Sequence, residues 1–313
     1  MTFLSRSNAQ LRKLFRQVRS FVGRPRVVVQ QTPVVLNDDN ACDDPIFLIG
    51  VHRSGTSLTR RIFNRHRHIA CPPESFFLKH YVTLLNDDDS FVGFEGMGFD
   101  RAAALKELRR AAARFHEAFR QAEGKPRWAD KTPQYVFYAD ELAELFGPRA
   151  RFVVIFRHPF DIVTSIYHRR WRLMDFAEDL FENTVRYVAA AHDRQLAFLA
   201  RHPEQARPLF YEALCQAPQA TLEPLLEWLG EPWDPQMLDF AGGQHNRGTE
   251  DPVVLGMRTI ELNAGTWETL SEEQVRLLQK HLRAHAEALG YPVDLPGVRA
   301  LDGGKLALPA ATA

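Results

Sequence analysis

Residues 45–63 read Pro45-Ile46-Phe47-Leu48-Ile49-Gly50-Val51-His52-Arg53-Ser54-Gly55-Thr56-Ser57-Leu58-Thr59-Arg60-Arg61-Ile62-Phe63. Gly50 and Gly55 bracket a polar turn that carries Arg53 and Ser54, and Thr56 and Ser57 stand where a helical pattern opens. Backbone amides of such a turn, together with the N-terminus of the helix behind it, converge on one point and suit an anion there. The spacing keeps three of the four fixed positions of G-x-x-x-x-G-K-[ST], namely Gly50, Gly55 and Ser57, and sets Thr56 where the lysine belongs. That lysine normally reaches the terminal phosphates of a nucleoside triphosphate. A loop that keeps the cradle without it points to a different phosphate-bearing donor.

Other residues could serve the same anion. Arg157 closes the run Arg151-Phe152-Val153-Val154-Ile155-Phe156 and offers a bidentate fork for a second phosphate. Ser165 and Arg169 follow eight and twelve positions later, and their spacing of four puts them on one helix face. Lys131, in Asp130-Lys131-Thr132-Pro133, adds a positive point charge. Glu74 follows Cys71-Pro72-Pro73 and by itself reads equally well as an acid near a helix start. Taken singly, Arg157 also fits a surface arginine and Lys131 an ordinary lysine. No stretch shows a convincing metal-ligand spacing.

These residues need elements to hold them. Ile46 to Ile49 and Arg151 to Phe156 read as buried strands. Arg127 to Asp130 reads as a short strand, and Pro208 to Glu212 as a further one. Helical patterns cover Ser57–Arg67, 100–122, 134–146, Pro159 to about Arg170, 175–201, 218–229 and 271–288. Strand alternating with helix implies an α/β fold with a mostly parallel sheet and right-handed crossovers. A ligand then sits at the carboxyl ends of the strands, which are residues 50–57, 129–132, 157–158 and 211–212. Gly242 to Trp267 is a long aperiodic stretch, and such loops are usually functional or mobile.

The 313 residues are 45% hydrophobic and 25% charged with a formal net charge of zero, enough for a sizeable core and unlike a general polyanion binder. No stretch approaches the ~20 apolar residues of a membrane span. Cys42, Cys71 and Cys215 are scattered, which argues against a disulfide framework and makes a reducing cytoplasm the default compartment. Residues 1–26 carry seven Lys/Arg and no acid. A loose leader or an arm on its own domain is the favoured reading, and a basic amphipathic helix on an anionic membrane is the alternative. Arg60, Arg61, Arg65, His66, Arg67 and His68 read as a largely solvated basic face.

The ordered set carries a resemblance. Gly50 to Leu58 resembles the 5′-phosphosulfate loop of sulfotransferases that use 3′-phosphoadenylyl sulfate (PAPS), and Arg157 to Ser165 resembles their 3′-phosphate motif. Tyr211-Glu212 is similar to the adenine-side tyrosine segment. An arginine at position 53 resembles the tyrosylprotein sulfotransferase branch and its bacterial and carbohydrate relatives. Cys71-Pro72-Pro73-Glu74 looks like the position of that branch's catalytic glutamate, and Asp130-Lys131-Thr132-Pro133 like the segment with its transition-state lysine. The resemblance covers about residues 45–292, with 1–44 as arm and linker and 293–313 as tail. It implies a three-layer fold of the P-loop nucleotide-hydrolase type.

The resemblance further implies that Glu74, Lys131 and Arg53 are catalytic. Arg53, Ser54, Gly55, Thr56, Ser57, Arg157, Ser165, Arg169 and Tyr211 would bind PAPS, with 3′,5′-adenosine bisphosphate left as product. Asn246-Arg247-Gly248-Thr249 matches a loop that contributes a serine, so Arg247 and Thr249 join the candidate set. Thr266 stands where the family often has a lysine. Cys71 matches a disulfide cysteine of the secreted enzymes, and residues 128–131 hold no partner for it. The implied reaction moves a sulfuryl group in line to an acceptor hydroxyl on a carbohydrate, a tyrosine or a small molecule, with Glu74 as base and no metal. The partner is then a hydroxyl-bearing acceptor and not nucleic acid, with peripheral membrane contact through residues 1–26 and a homodimer left open. Two rivals stand beside it: a P-loop nucleotide or small-molecule kinase, and a non-catalytic anion-binding protein on the same fold.

Overall fold

Ile46–Gly50 (β1) is apolar up to its terminal glycine and buried along its whole length, so both of its faces must be covered. The computed structural model describes residues 41–242, 254 and 256–291. In it β1 is the middle of a five-stranded sheet with Ile69–Ala70 (β2), Arg127–Asp130 (β3), Arg151–Phe156 (β4) and Ala206–Phe210 (β5). The order is β2-β3-β1-β4-β5 and every pairing is parallel. Register decides which strand ends meet. Gly50 lies opposite Ile155, so the turn after β1 comes up beside Arg157. Phe156 lies opposite Phe210, which brings Arg157 next to Tyr211. Phe47 lies opposite Asp130, and Lys131 leaves the sheet on the other flank of β1.

Alternation along the strands sends side chains into two cores. Phe47, Ile49, Phe152, Val154 and Phe156 pack on one face, beneath Pro159–His168 (α6), Leu180–Arg201 (α7) and Glu272–Ala288 (α10). Ile46, Leu48, Val153, Ile155 and Leu209 pack on the other, beneath Thr56–Arg65 (α1) and Pro218–Leu229 (α9). Each such side chain contributes about 1.5–3 kcal/mol on burial. The remaining helices are Leu78–Thr83 (α2), Asp88–Gly96 (α3), Arg101–Ala122 (α4), Ala139–Phe146 (α5) and Tyr211–Gln216 (α8). This is the α/β three-layer arrangement expected from the sequence, with parallel pairing in all of its strands.

Several boundaries differ from expectation for local reasons. The helix expected from 175 begins at Leu180 because Asp179 accepts from the Glu182 amide and caps it. The strand expected over 208–212 stops at Phe210, and Tyr211 already opens a helix. The expected solvated face of α1 is a correction. Arg60, Arg61 and His66 are buried, and they donate to the carbonyls of Cys71, Val254 and Pro232. All three cysteines are free thiols, and Cys71 packs in the same core as Ala129. Among the described residues no helix is long and apolar enough to cross a membrane. The basic stretch 1–26, Arg247, Thr249 and the tail 293–313 lie outside the described residues.

Candidate active site

The turn after β1 is closed by its own side chain. Ser54 Oγ donates to the Val51 carbonyl at 2.8 Å and the Ser54 amide to the same oxygen at 3.1 Å, so this hydroxyl holds the loop rather than facing a ligand. Arg53 and Gly55 have positive φ, 72° and 92°. A Cβ at Gly55 would stand 2.4 Å from Cδ2 of Tyr211, and one at Gly50 2.6 Å from Cγ2 of Thr56. Glycine is therefore required at both ends of the loop, to let the ring of Tyr211 and the start of α1 close upon it.

To one side lies an arginine-rich cluster. Arg157 donates from Nη1 to the Arg53 carbonyl at 2.8 Å and from Nη2 to the Asn263 carbonyl at 2.5 Å. Its guanidinium stacks 4.8 Å above the Tyr211 ring. Its Nε is buried and has no partner among the described residues. Arg53 Nε and Arg169 Nη1 both donate to Ser165 Oγ at 3.1 Å, and the indole of Trp171 lies within 6.0 Å of both guanidiniums. The Tyr211 phenol, pushed up to about 12 by burial, stays protonated. It donates to the Glu261 carbonyl and accepts from the Asn263 amide.

A cleft of about 370 Å³ runs through this cluster, lined by Arg53, Gly55, Thr56, Ser57, Arg157, Tyr211 and, from the long loop, Met257, Glu261, Leu262, Asn263 and Ala264. Asp161 anchors the end of that loop. Its buried carboxylate accepts from the amides of Gly265 and Thr266 at 3.0 and 2.6 Å and from Thr266 Oγ1 at 2.8 Å. Thr266, which stands in place of a lysine in the resemblance, is thus engaged in fastening the loop.

On the other flank of β1, Lys131 Nζ sits 2.5 Å from Glu74 Oε1 and makes a long 3.5 Å contact with Ser57 Oγ. The lysine side chain is 1% exposed and the glutamate 15%. Glu74 is set by its neighbour. The Ser75 amide donates to Thr132 Oγ1, and Ser75 Oγ meets the Tyr135 hydroxyl at 2.8 Å. Behind the lysine, Asp130 and His116 form a buried pair at 2.8 Å. His66, His68 and Glu231 also come close together. Both nitrogens of His66 are already committed, to the His68 amide and the Pro232 carbonyl, so no lone pair remains for a metal.

The structure thus gathers the expected residues into two adjoining groups. Arg53, Gly55, Thr56, Ser57, Arg157 and Tyr211 share one cleft, Ser165 and Arg169 join it through Arg53, and Glu74 with Lys131 abuts it at Ser57. Sequence reasoning passed over His52, Asp161 and Asn263. The motif contained His52, but its partner Tyr187 lies 135 positions away. Comparison with known proteins bears on the family and the fold. The sequence profile of the sulfotransferase family matches residues 45–235. Protein-tyrosine sulfotransferase 1 of Danio rerio is 25% identical over 210 residues, 66% of this chain and 58% of that protein. The nodulation protein NoeE of Sinorhizobium fredii is 27% identical over 226 residues, 63% of this chain and 52% of that one. The chain therefore spans less than two thirds of the length of these relatives. Among solved structures, the sulfotransferase domain of the Synechococcus PCC 7002 olefin synthase superposes with a TM-score of 0.59 at 21% identity, covering 80% of this chain and 95% of that domain, which shows a shared fold.

Proposed function

The chain belongs to the sulfotransferase family, and from that premise we propose that it moves the sulfuryl group of PAPS to the hydroxyl of an acceptor. The observation that carries the reading is the 2.8 Å bond from Arg157 to the carbonyl of Arg53, which makes the glycine loop and the second arginine walls of one cleft. A nucleotide with phosphates at both 3′ and 5′ positions can touch both. The residues fit such a ligand. Gly55 leaves the space that a Cβ would fill, and the Nε of Arg157 is a buried donor with no partner among the described residues. PAPS supplies an activated sulfuryl group on a phosphate leaving group. The loop amides, Thr56 and Ser57 hold the 5′ end. Arg157, with Ser165 and Arg169, holds the 3′ end, and Tyr211 supports the base side.

Lys131 and Arg53 neutralise charge that grows on the sulfuryl oxygens and the departing phosphate, where loss of one donor typically costs ~2.7–4 kcal/mol of barrier. Glu74 keeps Lys131 on Oε1, and Oε2 accepts no hydrogen bond from the described residues, so Oε2 takes the acceptor proton. The missing lysine at position 56 disfavours a triphosphate donor. Thermal scanning with 3′,5′-adenosine bisphosphate and with ATP tests the donor. Stabilisation by ATP and none by the bisphosphate would favour the kinase reading. A radiolabelled-sulfate screen over carbohydrate, peptide-tyrosine and phenol acceptors then assigns the acceptor class.

A further inference from the structure

We infer that His52 is a catalytic hydrogen-bond donor to the sulfuryl group in transfer, and that Tyr187 is the positioning residue that gives it the right tautomer. This rests on the sulfotransferase reading and adds a residue to it. His52 lies inside the anion loop, one position before the left-handed turn at Arg53. Its Nδ1 stands 2.6 Å from the hydroxyl of Tyr187. Tyr187 projects from α7, is 2% exposed, and packs against Phe137 and Phe176.

The tautomer follows from hydrogen-bond accounting. His52 is the one partner of the Tyr187 hydroxyl among the described residues. If Nδ1 carried the proton and donated to the phenol oxygen, the Tyr187 O–H would be buried without an acceptor, which folded proteins avoid. Burial also pushes the Tyr187 phenol well up, so it keeps its proton. The Tyr187 O–H therefore donates to Nδ1, and the proton of the neutral ring sits on Nε2. Nε2 has no partner among the described residues, and the residue is only partly buried. Three groups bear on the ring: Tyr187 from α7, Lys131 from the end of β3, and Arg53 from the loop itself. Burial first, then the charges of Lys131 and Arg53, hold the imidazole down at about 4, so it is uncharged at neutral pH. A neutral N–H in the neighbourhood of these two cations adds a donor to developing negative charge without repelling either one.

Nitrogen-15 spectra of histidine-labelled protein, and kinetics of three variants, test this. The wild-type spectrum should show His52 as the neutral Nε2–H form, and Tyr187→Phe should mix the two tautomers. His52→Phe should lower kcat about 10²-fold while leaving KM for PAPS and affinity for the bisphosphate unchanged. His52→Gln, which restores an N–H donor, should recover part of the rate, and Tyr187→Phe should lose less than His52→Phe. Wild-type kcat in His52→Phe, a proton on Nδ1 in the wild type, or equal loss of bisphosphate affinity in His52→Phe and His52→Gln would each overturn the role. A wild-type protein that does not bind the bisphosphate would instead overturn the sulfotransferase reading and this role with it, while the tautomer stays readable on its own.

Discussion

Lys131 Nζ meets Glu74 Oε1 at 2.5 Å, with the lysine sealed and the carboxylate open on one side. One residue of the pair is committed to the interior, and the other keeps part of its side chain in contact with solvent. Such an arrangement lets a cation hold one carboxylate oxygen and leave the other without a partner among the described residues. It also couples the two residues, because removing either leaves its partner mostly buried.

Lys131→Met should therefore do two things. Sulfuryl transfer should fall by about 10²–10³-fold, as for loss of a single donor to developing charge, while affinity for 3′,5′-adenosine bisphosphate persists. Stability should also drop, toward the low side of the ~3–5 kcal/mol seen for broken buried pairs, since Glu74 keeps some access to water. Steady-state kinetics and urea melts on one preparation check both. A variant with full activity would remove Lys131 from the reaction.

Gly55 and Gly98 both have φ near 90°, 92° and 89°. A Cβ at Gly98 would meet nothing within 4 Å, whereas one at Gly55 would strike Tyr211. Gly98→Ala should cost about 1–2 kcal/mol of backbone strain and bind the bisphosphate like the wild type. Gly55→Ala should lose that binding, because the ring of Tyr211 must leave its place over the loop. Calorimetric titration of the pair decides it, and equal affinity in both would show that the glycine loop is not part of the nucleotide site.

Acid should weaken the fold through His192. Its ring is buried, Nδ1 donates to the Val188 carbonyl, and Nε2 has no partner among the described residues. Burial holds it down at about 4. The unfolded chain then binds the proton more readily than the folded one, so the stabilisation is present above the unfolded value near ~6.5 and is lost as pH falls toward the folded value. Between pH 7 and 5 this amounts to about 2 kcal/mol. Urea melts of wild type and His192→Leu at the two pH values should differ in their acid loss by about that amount, and parallel losses would contradict the assignment.

The parts visible in the sequence were those whose cause is local. β1 and Phe152 to Phe156 of β4 are apolar runs, the loop needs glycines at fixed spacing, Arg157 follows the end of β4, and Ser165 and Arg169 stand four apart on α6 and its C-terminal cap. The parts hidden from it depend on distant partners. The donors of Arg60, Arg61 and His66 are taken by carbonyls 11, 193 and 166 positions away, so a helix that looks solvated by its charges is buried. α3 buries no residue and so carries no apolar stripe to read, and β2 is two residues long, too short for any period. The pairing of His52 with Tyr187 could be seen only once α7 was in place.

The central claim is that one nucleotide phosphorylated at both ends spans the loop and Arg157. Calorimetric titration with 3′,5′-adenosine bisphosphate, 5′-AMP and ATP, on wild type and Arg157→Ala, addresses it directly. The bisphosphate should bind the wild type at least about tenfold more tightly than 5′-AMP, as a charge-assisted hydrogen bond worth ~1.5–3 kcal/mol requires, and that advantage should vanish in Arg157→Ala. A preference for ATP, or a 3′-phosphate advantage that survives the loss of Arg157, would contradict the account.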